Sequence, residues 1–147
     1  MADTAREQAI NAYIRNDPFA RHLGATVEIV APGHSRVTMT VTDEMVNFHG
    51  MTHGGLIFTL GDIAFAAAGN SRGQTAVALN VDICFLRASK PGDVLVAEAK
   101  EQFAGGPTAL YDITVINRET GELIAKSLNM VYRKKEWFVP EDGAIED

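Results

Sequence analysis

Hydrophobic residues fall on two periods in this chain, and the switches between them mark its elements. Thr4-Ala-Arg-Glu7 has the pattern of a capping box and predicts a first helix from about Ala5 to Arg15. Asp17-Pro18 reads as an N-cap followed by proline at the first helical position, so a short helical turn carries Phe19 and Leu23 and stops at Gly24. From Thr26 the period becomes two. Val27 and Ile29 alternate, Pro32-Gly33 turns, and Val37, Met39 and Val41 share a face of the next strand. Then comes a run unlike any other: from Leu56 to Ala68 the only polar side chains are Thr59 and Asp62. Its length predicts a helix from about His53 to Ala68, stopped by Gly69-Asn70.

Strands fill the remainder. Val77, Leu79, Val81, Ile83 and Phe85 are expected on one face of a long strand, with Ala78, Asn80, Asp82 and Cys84 on the other. Pro91-Gly92, Gly105-Gly106-Pro107 and Asn117 to Gly121 are turns. They introduce strands at Val94 to Glu101, Ala109 to Ile116 and Leu123 to Tyr132. Such short connections make successive strands antiparallel. The sum is an α+β fold, with five to six antiparallel strands curled around one long central helix and a short N-terminal helical segment. A helix apolar on nearly every side also needs cover where a single sheet does not reach. A partner subunit is expected there.

Composition narrows the picture. The 147 residues suit a single domain, taken as residues 1–138, with an acidic and flexible tail at 139–147. That tail carries four acids and no base, so of the net charge of −6 only −2 belongs to the remainder. A near-neutral body argues against nucleic-acid binding, which wants a basic face. One cysteine, Cys84, excludes an intrachain disulfide and suits a reducing compartment. No stretch has the form of a signal peptide or membrane span, so a cytoplasmic protein without membrane contact is expected.

The candidate chemistry lies in the apolar run. A carboxylate taken into a core is costly unless it is hydrogen-bonded by a neighbour or put to use. Asp62 is such a carboxylate. His53-Gly54-Gly55, at the start of the same run, offers bare backbone where free N–H groups favour developing negative charge. An acid–base group and an oxyanion-type site on one element suggest acyl chemistry. His49 and His53 have the spacing of a zinc pair, but Gly50 and Gly54 interrupt any helix there and no third ligand is near, so no metal or other cofactor is expected. There is no Gly-x-Ser-x-Gly elbow and no phosphate-cradling loop.

These residues together resemble the hotdog-fold acyl-CoA thioesterases of the phenylacetyl-CoA (PaaI-like) branch. The likeness rests on Asn47, on His53-Gly54-Gly55 six residues later, and on Asp62 within Phe58-Thr-Leu-Gly-Asp-Ile-Ala-Phe-Ala. Phe85-Leu-Arg-Ala-Ser-Lys-Pro-Gly-Asp93 matches the strand-turn-strand that follows. The resemblance covers roughly residues 22–133. It implies an acyl-CoA substrate, Asp62 as nucleophile or general base, and the Gly54 N–H as oxyanion donor. It also implies that His53 positions the thioester and that Asn47 orients the water or the carboxylate. Asn80 stands where some relatives carry a hydroxyl residue. Two subunits would share each site, in a dimer or a tetramer built from dimers. Helix geometry agrees, because eight residues at about 1.5 Å each separate Gly54 from Asp62 by roughly 12 Å.

Further substrate contacts are expected from Gly55, Asn80 and Phe48, and from Arg87 and Lys90 toward the coenzyme A phosphates. Phe48, Met51, Phe58 and Phe65 are candidates for an aromatic or medium-chain acyl pocket, although aromatics at helical spacing more often belong to a core. Arg133-Lys-Lys135 is the other basic cluster. Two alternatives stay open at the level of sequence. One is a hydratase or dehydratase on acyl thioesters, using His53 as base; the other is a non-catalytic acyl-CoA-binding module.

Overall fold

Local capping signals set the first elements of the computed structural model, which describes residues 4–141. Helix α1 (Ala5–Arg15) begins with the expected box: Thr4 Oγ1 accepts from Glu7 N–H at 3.1 Å and Glu7 accepts from Thr4 N–H at 3.2 Å. Helix α2 (Pro18–His22) is capped by Asp17, whose Oδ1 accepts from Phe19 and Ala20 N–H, both at 3.0 Å. Gly24 then turns the chain at φ 71°, a conformation open to glycine without strain.

Strands β1 (Thr26–Ala31) and β2 (His34–Thr40) form a hairpin, and helix α3 (Gly54–Gly69) follows with His53 as its N-cap. The remaining strands are β3 (Gln74–Phe85), β4 (Val94–Gly105), β5 (Thr108–Asn117) and β6 (Leu123–Trp137). All six make one antiparallel sheet in the order β1-β2-β4-β5-β6-β3. Its inner face holds α3. Ile57, Leu60, Ala64, Phe65, Ala67 and Ala68 are buried against Val37, Met39, Leu95, Ala97, Ile113 and Val131. Two-residue periodicity made β2 and β5 readable, since every second residue of β5 is buried.

Strand β3 departs from expectation. Its register against β6 slips between Ala78, opposite Val131, and Asn80, opposite Met130. The bulge turns the strand's two halves out of phase, so Ala78 lies opposite buried Val131 while Val77 lies opposite exposed Tyr132. Val77 therefore does not share a face with Val81 and Ile83. Strand β6 also runs five residues beyond Tyr132, because the charged stretch at Arg133 pairs with the start of β3 rather than burying side chains.

The two ends of the described chain meet. Arg6 donates to the carbonyls of Arg72 at 2.7 Å and Pro140 at 2.8 Å, and Phe138 N–H donates to Gly73 O at 3.0 Å. Tyr13 and Phe138 stack with ring centroids 4.4 Å apart. Of the acidic tail expected at 139–147, residues 142–147 lie outside the described chain. No helix among the described residues is long and apolar enough to cross a membrane.

Leu60 is 1% exposed where the helix meets the sheet. Leu60→Ala should cost about 3 kcal/mol of unfolding free energy, the usual penalty for a cavity in a rigid core. Urea denaturation reads this as a lowered midpoint at unchanged slope.

Candidate functional site

The start of α3 is held by a tightly bonded loop. His53 N–H donates to Met45 O at 2.8 Å and Asn47 N–H to Met51 O at 2.8 Å. Asn47 Oδ1 accepts from His49 N–H at 2.9 Å and Met51 N–H at 3.2 Å, which fixes the amide so that its NH₂ points away from the loop. Gly50 closes the turn at φ 77°, where side-chain-bearing residues are strained. A buried hydroxyl pair, Ser89 Oγ to Thr52 Oγ1 at 2.6 Å, ties the last loop residue before His53 to the β3–β4 connection. Neither hydroxyl is singled out by the sequence, because a pair distant along the chain has no one-dimensional signature.

His53 caps the helix with its ring. Nδ1 accepts from Gly55 N–H at 2.9 Å, so the ring proton sits on Nε2 and that nitrogen is a donor. Gly55 must be small for this to happen, since a Cβ there would stand 3.0 Å from Nδ1. Gly54 is different. A Cβ on it would meet only the Phe85 ring, at an ordinary 3.6 Å, and its N–H is among those a helix start leaves without an intrahelical acceptor. A cavity of about 290 Å³ opens beside it, lined by Asn47, Met51, Gly54, Ile57, Phe85 and Arg87 among others. Four of the sequence-predicted residues thus meet there: Asn47, Met51, Gly54 and Arg87.

Asp62 lies elsewhere, on the side of α3 that the sheet leaves uncovered. Gly55, Phe58 and Ala66 are exposed along that side, and Thr59 and Asp62 are half-buried. The two polar side chains of the helix are treated differently. Thr59 Oγ1 donates to Gly55 O at 2.8 Å and is satisfied by its own helix. Among the described residues no donor is hydrogen-bonded to the Asp62 carboxylate, so its presence is not explained by a neighbour's donors. Burial pushes the Asp62 carboxyl above the ordinary aspartate range, and the charge of Asp17 pushes it further. Asp17 was readable as a helix cap but not as a neighbour of Asp62, because α1 and α2 reach that side only through tertiary packing.

The remaining candidates are dispersed. Asn80 is exposed on β3 just past the bulge, opposite Met130. Phe48 is 93% exposed and tilts against His49, whereas Phe65 is 2% exposed and packs edge-on against Tyr111. Phe65 belongs to the core. Arg87 donates to Leu123 O at 3.5 Å and lies 4.0 Å from Glu122. Lys90 is exposed on the turn after β3 and outside the cavity lining. Arg133 donates to Gly106 O, on the far side of the sheet's hairpin tip.

Comparison with known proteins follows the same segment. The profile of the thioesterase superfamily matches residues 49–124, about half of the chain. The acyl-coenzyme A thioesterase PaaI of Escherichia coli is 43% identical over 112 residues, covering 76% of this chain and 80% of that protein. The structure of E. coli PaaI, from the phenylacetic acid degradation operon, superposes with a TM-score of 0.84 at 38% identity, over 90% of this chain and 95% of the other. A Streptococcus mutans protein solved with bound acetyl CoA superposes with a TM-score of 0.71 at 32% identity, over 75% of this chain and 88% of its own.

A raised carboxyl makes a pH prediction. Its unfolded value is the lower one, so Asp62 weakens the fold at pH values above both and has no effect below both. Asp62→Asn should therefore be more stable than the parent at pH 7. The advantage should vanish as pH falls through the raised value into the ordinary aspartate range. Paired urea titrations between pH 7 and pH 3 measure it, and a constant difference across that window would count against a dehydrated Asp62.

Proposed function

Because the chain belongs to the thioesterase superfamily and has its hotdog fold, we propose that it hydrolyses an aromatic or medium-chain acyl-CoA to the free acid and coenzyme A. The observation that carries this reading is the unpartnered, dehydrated carboxylate of Asp62 on the same helix whose start presents the free Gly54 N–H to a cavity.

The chemistry follows from those groups. The thioester carbonyl oxygen accepts the Gly54 N–H, which stabilises the negative charge as the carbonyl carbon becomes tetrahedral. Asp62 either takes the proton of the water that adds to that carbon, or adds itself and forms an acyl–aspartate anhydride that water then hydrolyses to the free acid; in both cases the carbon–sulfur bond breaks and coenzyme A leaves as the thiol after protonation. The raised carboxyl is a stronger base than an ordinary aspartate, and partial dehydration strengthens both roles. His53 Nε2–H and the outward NH₂ of Asn47 supply further donors around the thioester and the water. Arg87, beside the same cavity, suits the phosphates of coenzyme A.

Eight residues, or roughly 12 Å, separate Gly54 from Asp62 along α3, which is too far for one carbonyl to meet both. We therefore assign each site to two subunits, Gly54 and His53 from one and Asp62 from its partner. The uncovered side of α3 supports this, since a second copy would bury it. Hydration of an enoyl thioester would instead use His53 as the base. That role fits poorly, because Nδ1 already holds Gly55 N–H and Nε2 is a donor.

Free-thiol release from a panel of acyl-CoAs tests the assignment. Asp62→Asn should lower kcat roughly 10²–10⁴-fold, the range for loss of a general base. Wild-type turnover by that variant would remove Asp62 from the mechanism. Gly54→Pro deletes the N–H at the first helical position, where proline is tolerated, and should cost roughly 10²–10³-fold. Co-folding the two dead variants in equal amounts distinguishes shared from single-chain sites. Half of random dimers are mixed and each restores one of two sites, so about a quarter of wild-type activity should return. No recovery would place both groups in one chain.

A further inference from the structure

A second cavity lies at the other end of α3, and the thioesterase reading leaves it unused. It measures about 330 Å³ and runs between the C-terminal half of α3 and a roof made by α1, α2 and Phe138. Ala66, one of its floor residues, is one helical turn beyond Asp62, on the same side of the helix. The roof is anchored by the Tyr13–Phe138 stack and by Arg6, which holds Pro140 and Arg72.

The lining is largely apolar. Ile14, Val27, Ile63 and Phe138 contribute carbon surface. Several polar members are already committed. Asn70 donates to the carbonyls of Ala66 and Ala76 and accepts from Ala76 N–H, while Asn16 accepts from Arg21. Asp17 caps α2 through Oδ1. The Tyr13 hydroxyl and the Asn16 NH₂ are the donors left in the lining, and Asp17 puts a negative charge in its wall, so the space suits an uncharged and largely apolar guest.

We propose that this cavity receives the acyl group of the thioester, in the subunit whose Asp62 attacks it, and that it selects uncharged apolar acyl groups. The proposal rests on the shared-site thioesterase reading and divides one substrate between two subunits. Coenzyme A lies against the Gly54 end of one α3 while the acyl group lies beyond Asp62, along the α3 of the other. An apolar void of about 150 Å³ already admits a benzene ring, so the larger space here accepts an arylacetyl group or a medium-length chain. An acyl group ending in a carboxylate would be placed beside Asp17 and would be disfavoured by like charge. The same repulsion acts on the acid product once its carboxylate forms at Asp62.

Two variants test this, each read as a ratio so that general damage cancels. Ala66→Leu keeps a strong helix former at an exposed position and fills the floor. The ratio of kcat/KM for phenylacetyl-CoA over acetyl-CoA should fall about tenfold or more, the scale of misfit for added methylenes in an apolar pocket. Asp17→Asn keeps the cap and removes the charge, so the ratio for succinyl-CoA over butyryl-CoA should rise about fivefold or more. Unchanged ratios in both variants would overturn the proposal while leaving thioester hydrolysis standing. Calorimetry with S-(2-phenylethyl)-CoA, which cannot be hydrolysed, separates the two ideas. Should the parent cleave no thioester, a tenfold loss of its affinity relative to free coenzyme A in Ala66→Leu would still support the pocket. Equal affinities in parent and variant would remove it.

Discussion

The inner face of the sheet grips α3 through Ile57, Leu60, Ala64, Phe65 and Ala68 and leaves the strip containing Gly55, Asp62 and Ala66 without sheet cover. That one-sided burial sets the terms for everything else. A helix this apolar is stable only when surrounded, and burying its large side chains supplies most of the favourable free energy of the fold. The uncovered strip carries Gly55, Phe58, Thr59 and Ala66 and one carboxylate. Asp62 is thereby partly dehydrated and still reachable, a combination that neither full burial nor full exposure would give.

The two ends of α3 are specialised in opposite ways. At the start, backbone groups face the cavity, and they are held by a loop in which Asn47, Gly50, Thr52 and Ser89 leave little freedom. At the far end side chains line a cavity whose roof is assembled from segments distant in sequence. Electrostatics keep these ends apart in character, with free N–H donors at one and two carboxylates, Asp17 and Asp62, near the other.

Much of this was legible along the chain, for physical reasons that also explain the gaps. The capping box at Thr4, the Asp17-Pro18 start and the Gly-rich opening of α3 are local signals, and the structure follows each within a residue or two. Alternation located β2 and β5 because one face of each is buried. It failed at β3, an edge strand with little buried surface, where a bulge near Ala78 shifts the phase without a mark in composition. Asp62 and the glycine-rich helix start at Gly54 stood out by residue type, whereas Asn47 and the role of His53 came only with the family resemblance. The closeness of Asp17 to Asp62, the Thr52–Ser89 bond and the roofed cavity could not be read along the chain, because each depends on which segments pack together. Phe48, an aromatic beside the site motif, stands 93% exposed in the single chain.

The roof over the second cavity is built from α1, α2 and Phe138, all of which flank the sheet rather than form it, and Arg6 joins those flanks. None of those segments supplies a strand of the sheet or a residue of the loop that presents Gly54. Evolution can therefore vary one part of the chain while the helix and its bonded loop stay constant. Divergence among proteins of this architecture should accumulate in the flanks first, making the least regular parts of the molecule the record of what each has come to recognise.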